Sequence, residues 1–324
     1  MKTQSLKRSA ILLTLASGVL MARTAPAMGA PGAVNYIEGN VSIDGAPLNS
    51  QQIGSTALRA NQAIATADGK AEVLLSPGAF LRLGSNSEVR MISPALVDPR
   101  VEVVHGSALI EVDSKLKEAH LDIVEHGATA SVLKEGLYRF DADQSKIGVI
   151  DGKLLVASND QSKEIGKGKE ILLDNAPKLK AVSFDRHTKD ELYVWSDIRS
   201  NYLAEANAST ARYISSGYGP YSGAGWYWNP YFSMYSWLPG DGFFYSPFGY
   251  PFYSLGYAPF YGGYYGSPRY FRRPLIGSAP IHGIRPGFRS TVAPRASGFA
   301  GAGGFRGGVS HGFAAGGFHG GGRR

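Results

Sequence analysis

The chain has 324 residues, no Cys and a formal net charge of +7. That length allows one or two domains with real cores, and the missing thiols exclude both a disulfide framework and a thiolate metal site. The basic balance invites a nucleic-acid reading, but residues 215–324 carry nine Arg, no Lys and only Asp241 as an acid, and the leader adds Lys2, Lys7, Arg8 and Arg23, so residues 28–214 are mildly acidic; the charge belongs to the two ends, not to the predicted domain.

Met1–Ala27 has the layout of a secretory signal peptide. Lys2, Lys7 and Arg8 form a charged start, Ile11–Met21 an apolar stretch, and Ala25-Pro26-Ala27 a small-x-small cleavage site. The apolar stretch is too short to span a bilayer, and no later run approaches the ~20 apolar residues that spanning needs. The expectation is an exported protein, periplasmic or cell-surface/extracellular, with no transmembrane helix in the mature chain.

From Val34 the pattern is that of strands. Val34–Glu38 and Val41–Ile43 flank Gly39, and Asp44-Gly45 is a turn. Then Ala71, Val73 and Leu75, next Leu81 and Leu83, then Val89 and Met91 alternate with polar residues. Period-two alternation is the mark of half-buried strands. The runs are punctuated by Asp68-Gly69, Pro77-Gly78, Gly84-Ser85 and His105-Gly106. Further strands are predicted at Val101–Val104, Ser107–Val112, Leu121–Val124, Thr129–Leu133, Leu137–Asp141, Lys146–Ile150 and Lys153–Ala157, with a last pair around Glu164–Ile165 and Glu170–Leu173. Asp68-Gly69 and Asp151-Gly152 read as hairpin turns, because Asp and Gly tolerate positive φ. The fold class is all-β: an antiparallel sandwich or jelly roll, or a β-solenoid-like stack.

These residues also carry a family resemblance. Ile64, Thr66, Gly69, Ala71, Val73, Leu75, Gly78, Leu81, Arg82, Leu83, Asn86, Ser87 and Val89 fall where the FecR domain family places its strand and turn residues, and V-H-G-S-A-L-I-E-V (104–112) and K-I-G-V-I-D-G-K-L-L-V (146–156) fit its later pieces. The chain resembles that family over residues 31–185. The resemblance implies an extracytoplasmic binding or signalling domain; in FecR-like regulators it relays a signal from an outer-membrane receptor to a cytoplasmic sigma factor. Such a regulator needs a cytoplasmic anti-sigma region before a spanning helix. Here only the residues up to Ala10 precede the apolar run, so the sensing domain alone is carried over.

Chemistry is thin in this region. His105, His120 and His126 match no zinc spacing and read as solvated or hydrogen-bonded side chains. Glu102 and Glu111 could face each other as a glycosidase pair, but acidic residues on alternating strands are ordinarily the wet face. No catalytic, cofactor or metal residues are assigned, and the protein is read as not an enzyme. After the strands, Thr188 with Glu191 forms a capping box. Leu192, Trp195, Ile198, Tyr202, Ala206 and Tyr213 then make one apolar stripe, which predicts an amphipathic helix within residues 188–214.

Residues 215–324 hold 26 of the 42 Gly and 28 of the 37 aromatic residues, with few aliphatics. A segment so composed does not readily offset the entropy of ordering, so a low-complexity, disordered or extended tail is expected, with loose aromatic packing against the β-domain in its first part. Trp226, Trp228, Tyr231, Trp237, Arg272 and Arg273 are the candidate binding surface, since rings stack on sugars and on each other and Arg adds cation–π contacts. The partners that suit it are an envelope protein or polysaccharide, or other copies of the tail; nucleic acid is disfavoured for an exported chain. Gly308–Gly312 matches G-x-S-x-G, but a nucleophile elbow needs a strand before it and a helix after it, and the motif is rejected. Two functions remain: a non-enzymatic FecR-like binding or signalling module, and a structural or adhesive envelope protein acting through the tail.

Overall fold

The computed structural model describes residues 29–114, 119–173, 178–219 and 221–258. The signal-peptide segment, the G-x-S-x-G match, Arg272 and Arg273 lie outside the described residues. Fifteen strands make one sheet: β1 (Val34–Ile43), β2 (Ala46–Pro47), β3 (Ala63–Ser76), β4 (Ala79–Leu83), β5 (Ser87–Pro94), β6 (Pro99–His105), β7 (Ser107–Val112), β8 (Asp122–Glu125), β9 (Ala128–Val132), β10 (Gly136–Asp141), β11 (Lys146–Asp151), β12 (Lys153–Ser158), β13 (Gln161–Gly166), β14 (Lys169–Leu172) and β15 (Ala181–Ser183). All pairings are antiparallel except β6 with β8, which is parallel.

β3 is the strand on which the sheet turns. Its first residues, Ala63–Thr66, pair with β5, and its last, Ala71–Ser76, pair with β4, while β1 runs along its other side. The sheet order therefore has two arms. One holds β4, β7, β10, β11, β14 and β15; the other holds β5, β6, β8, β9, β12 and β13. The chain crosses repeatedly from arm to arm, and the arms close over a shared core to form a near-closed barrel or sandwich. Leu81, Leu83, Ile110, Phe140 and Val149 from one arm meet Val89, Val103, Ile123, Ala130 and Val156 from the other. Burial of this kind, at roughly 25 cal/mol per Å² of apolar surface, is the main force holding such a domain together.

The expected turn signals are used in ways that the sequence does not show. Asp68-Gly69 is not a turn; it lies inside β3, where Gly69 sits opposite Gly39 of β1. A Cβ on Gly69 would come within 2.4 Å of the Glu38 carbonyl oxygen, so the glycine serves close approach of two backbones. Asp151-Gly152 and His105-Gly106 do bend the chain, with Gly152 at φ +96 and Gly106 at φ +72. Yet β11 does not pair with β12, nor β6 with β7. At both places the chain leaves one arm for the other.

Helix α1 (Glu191–Ser215) starts at Asp190, whose carboxylate accepts from the Tyr193 amide at 2.8 Å. The expected cap, Thr188, instead donates its hydroxyl to Asp185. Asp190 is the stronger cap, and it also pairs with Arg139 of β10. After the helix, the aromatic segment forms two hairpins, β16 (Gly225–Asn229) with β17 (Met234–Leu238) and β18 (Phe243–Tyr245) with β19 (Pro251–Tyr253). The first part of the tail is thus built into the folded body rather than loosely laid on it. Trp226, Tyr235, Trp237 and Phe252 do the work of aliphatic core residues, packing with Leu74 and Phe80 of the sheet and Leu203 of α1. Ring pairs such as Trp237–Phe252, with centroids 5.5 Å apart, supply the contacts.

Candidate functional site

Alternation along β4 turns Leu81 and Leu83 into the sandwich and Phe80 and Arg82 to its outer face. On that face Arg82 lies directly across from Glu72 of β3 and diagonally from Glu111 of β7. All three side chains are fully buried, because α1 and the hairpins cover this face. Arg82 Nε donates to Glu72 Oε2 at 2.9 Å, and its Nη1 donates to Glu111 Oε2. The helix brings the rest. Arg199 Nη2 donates to Glu72 Oε1 at 2.9 Å and its guanidinium stacks on the Tyr36 ring at 4.0 Å. Ser200 donates to Glu111 Oε1 at 2.6 Å and approaches Ser246 of the β18–β19 loop at 3.1 Å. Asn35 of β1 donates to Glu72 at 3.0 Å and holds both backbone groups of Tyr235 in β17.

The electrostatics follow from this geometry. Burial by itself would raise the Glu72 carboxyl, but the Arg199 and Arg82 guanidiniums and their hydrogen bonds outweigh it and hold it below the usual carboxylate range. Asp113, next on the same face, is pushed well above that range by burial and then by the Glu111 carboxylate. A closed, hydrogen-bonded cluster beneath a helix docks elements together; it offers no route for a substrate. Glu111 is committed to it, while Glu102 pairs with Arg90 at 3.0 Å on the other arm, so the two do not face each other.

The buried face of α1 differs from the predicted stripe. Leu192, Trp195 and Ala206 are inside as expected, but Tyr202 and Tyr213 are exposed. The inward positions include Arg199, Ser200, Asn207 and Thr210. Asn207 bridges both hairpins, donating to the Trp237 and Tyr253 carbonyls at 2.8 and 3.0 Å and accepting from the Tyr253 amide. The helix is docked by polar side chains, which a search for apolar periodicity passes over.

Two open surfaces among the described residues bear on recognition. A cleft of about 830 Å³ lies beside β1 and β2 and the segment after them, lined by apolar Ile43, Leu48 and Leu58 and by Gln52, Arg59 and Gln62. The other is the ring-rich surface. Of the candidate tail residues, Trp226 is 1% exposed and Trp237 is buried, so neither can be a free binding ring. The reason is that the hairpins alternate, turning these side chains onto Leu74, Phe80 and Leu203. Trp228 is half-buried, with its edge against Tyr235, and Tyr231 is 74% exposed. Other exposed rings include Tyr213 stacked with Tyr218, and Phe243 with Tyr245 and Tyr257.

The histidines have local partners or solvent. His105 Nδ1 lies 3.2 Å from the Asn86 carbonyl oxygen and His126 Nε2 2.7 Å from that of Ala142, and His120 is exposed. Among the described residues no group of three His, Asp or Glu is placed to hold a metal, and no helix is long and apolar enough to cross a membrane.

Residues 62–155 match the family model described as FecR protein. The matched region runs from the start of β3 into β12 and carries Glu72, Arg82 and Glu111. The chain therefore contains a FecR-type region with an attached helix and aromatic hairpins. Two crystal structures, each of a candidate anti-sigma factor from Parabacteroides distasonis ATCC 8503, are similar at a TM-score of 0.35. One is 16% identical, with the match covering 42% of this chain and 64% of that one. The other is 13% identical, with 55% of this chain and 99% of that one covered. The match thus spans less than two thirds of the first structure's chain. No curated protein matches this chain.

Proposed function

We propose that this chain is an exported, non-catalytic binding module of the FecR type, which presents its β-domain to an extracytoplasmic partner. The observation that carries the reading is the use made of the charged residues in the matched region. Glu72, Arg82 and Glu111 are spent on docking α1 and the hairpins. Among the described residues a mixed cleft and a set of rings face solvent, which suits recognition. The layout of Met1–Ala27 supports export.

A second reading, a structural or adhesive envelope protein, is favoured by the exposed Tyr213, Tyr218, Tyr231 and Tyr245. Fractionation of cells making the full chain or a form ending at Ala258 separates the two. A cut at Ile214 would remove Trp226 and Trp237 from the core, so the cut belongs after the second hairpin. Sedimentation of the full chain with the envelope supports the adhesive reading, through residues 259–324 if the shorter form is released and through the exposed rings if it is not. If both forms are soluble outside the cytoplasm and pull down one discrete protein, the module reading stands. Retention of both forms in the cytoplasm overturns both.

A further inference from the structure

We propose that the cleft beside β1 and β2 binds a long-chain carboxylate, with the head group on Arg59 and the hydrocarbon chain on Ile43, Leu48 and Leu58. The inference rests on the module reading and gives its cleft a ligand class. The lining sorts by chemistry. Ile43, Leu48, Leu58 and three prolines supply apolar surface, and Arg59 is the single charged residue among the lining residues. Arg59 is exposed, and its guanidinium meets no carboxylate among the described residues. Asp44, tied to the same segment, is already engaged by Gln62 Nε2 and the Ala63 amide, each at 2.9 Å. One open guanidinium beside an apolar floor suits a monoanion with a greasy body, because a guanidinium holds a carboxylate by charge-assisted hydrogen bonds.

The wall of the cleft is built in advance. Asn49 Oδ1 accepts from the Gln51 amide at 3.0 Å, and the Asn49 amide donates to Gln52 Oε1 at 2.9 Å. From the hairpin β16–β17, Tyr235 donates its hydroxyl to the Gly54 carbonyl at 2.8 Å, and the Trp228 ring fills the space where a Cβ on Gly54 would stand. A wall held in this way loses little entropy when a ligand enters. The volume, about 830 Å³, lies within the range of small-molecule sites.

The same bonding disfavours an extended polypeptide as the occupant. The amides of Ser55, Thr56, Leu58, Arg59 and Gln62 all donate within the protein. β2 is two residues long, and its Pro47 has no amide hydrogen to offer. A strand laid in the cleft would find these donors taken, whereas a hydrocarbon chain needs none.

The test is isothermal titration calorimetry of the full chain with dodecanoate, kept below its micelle-forming concentration, beside decanoate and dodecyltrimethylammonium. Dodecanoate should bind. Decanoate, two methylenes shorter, should bind about tenfold more weakly, and the cationic amphiphile weaker by at least about tenfold. Arg59→Gln, at an exposed position, should weaken dodecanoate about tenfold. Ala46→Trp, which fills the cleft from another exposed lining position, should abolish binding. No binding of dodecanoate, equal affinity for the cationic amphiphile, or unchanged affinity in either variant overturns the site. An apolar peptide with a free terminal carboxylate is the remaining competitor. Tighter binding of that peptide than of dodecanoate, lost with Arg59→Gln, would make the occupant a chain end and overturn the long-chain carboxylate. Failure on any of these counts leaves the module reading standing on its own test, the pull-down of one discrete protein.

Discussion

Removing Arg199 should cost more than its contacts alone, and removing Glu72 with it should restore much of the loss. In the native cluster Arg82 and Arg199 offset Glu72 and Glu111. Arg199→Met keeps most of the bulk under Tyr36 but leaves two carboxylates on one guanidinium, beneath a cap that excludes water. Breaking a buried pair from one side typically costs about 3–5 kcal/mol, and loss of the Tyr36 stacking adds about 0.5–2 kcal/mol. Glu72→Gln leaves the opposite imbalance and should cost about 3 kcal/mol. The double variant leaves Arg82 facing Glu111, one charge of each sign. It should fall short of the summed losses by at least about 2 kcal/mol. Urea unfolding followed by tryptophan fluorescence suits the measurement, since Trp195, Trp226 and Trp237 all sit in the cap or its interface. Additivity within about 0.5 kcal/mol would refute the reasoning, for it would mean the four charges do not share one buried environment.

Glu125 is buried in the sandwich, and burial, with Asp141 second, pushes its carboxyl up to about 8 from the usual 4.5. Its folded value is raised, so its contribution to stability is complete below about pH 4.5 and is lost as pH climbs to about 8, at up to about 1.4 kcal/mol per pH unit; Glu125→Gln should remove that slope from a pH series of urea midpoints. Gly69→Ala drives a methyl into the Glu38 carbonyl, whereas Gly45→Ala, at φ +80 with no atom near, meets only backbone strain. The first should cost at least about 2 kcal/mol and the second about 1 kcal/mol, read from thermal unfolding. Trp226→Ala should destabilise by about 3–5 kcal/mol, and Tyr231→Ala by less than about 0.5 kcal/mol, in the same assay. Equal effects would mean that the hairpins do not pack as described.

Alternation and turn chemistry are local properties, and where the fold obeys local rules the sequence was legible. Strand positions from Val34 to Leu173 follow from them closely. What local rules do not contain is partner choice. Asp151-Gly152 bends the chain as its residues require, but whether β12 returns to β11 or goes to β9 is decided by which arm can bury Leu154 and Val156. Asp68-Gly69 has turn composition and no turn, because β1 fixes β3 in an extended form across it. The cluster was invisible for another reason. Arg82, Glu72, Glu111, Arg199 and Asn207 have the polarity of surface residues, and only their mutual arrangement makes burial tolerable. In the sequence Arg82 stands out only as the middle of the Leu81–Leu83 piece of the resemblance, with no role attached. In the aromatic segment the scarcity of Leu, Ile and Val concealed how much surface Trp, Tyr and Phe can bury.

Asn35 and Tyr235 exchange hydrogen bonds across 200 positions of sequence. The partner that completes the second strand residue is thus among the last segments of the body to be made. A chain emerging from its amino end must hold Glu72, Arg82 and Glu111 on an uncovered sheet face until residues near 200 and 235 arrive. Contacts of such long range are slow to form, because the intervening loop must close first. Water can keep those charges solvated in the meantime, where a row of leucines would invite association with neighbouring chains. A polar seam under the cap therefore suits a polypeptide whose first strand and later hairpin meet only late in its assembly.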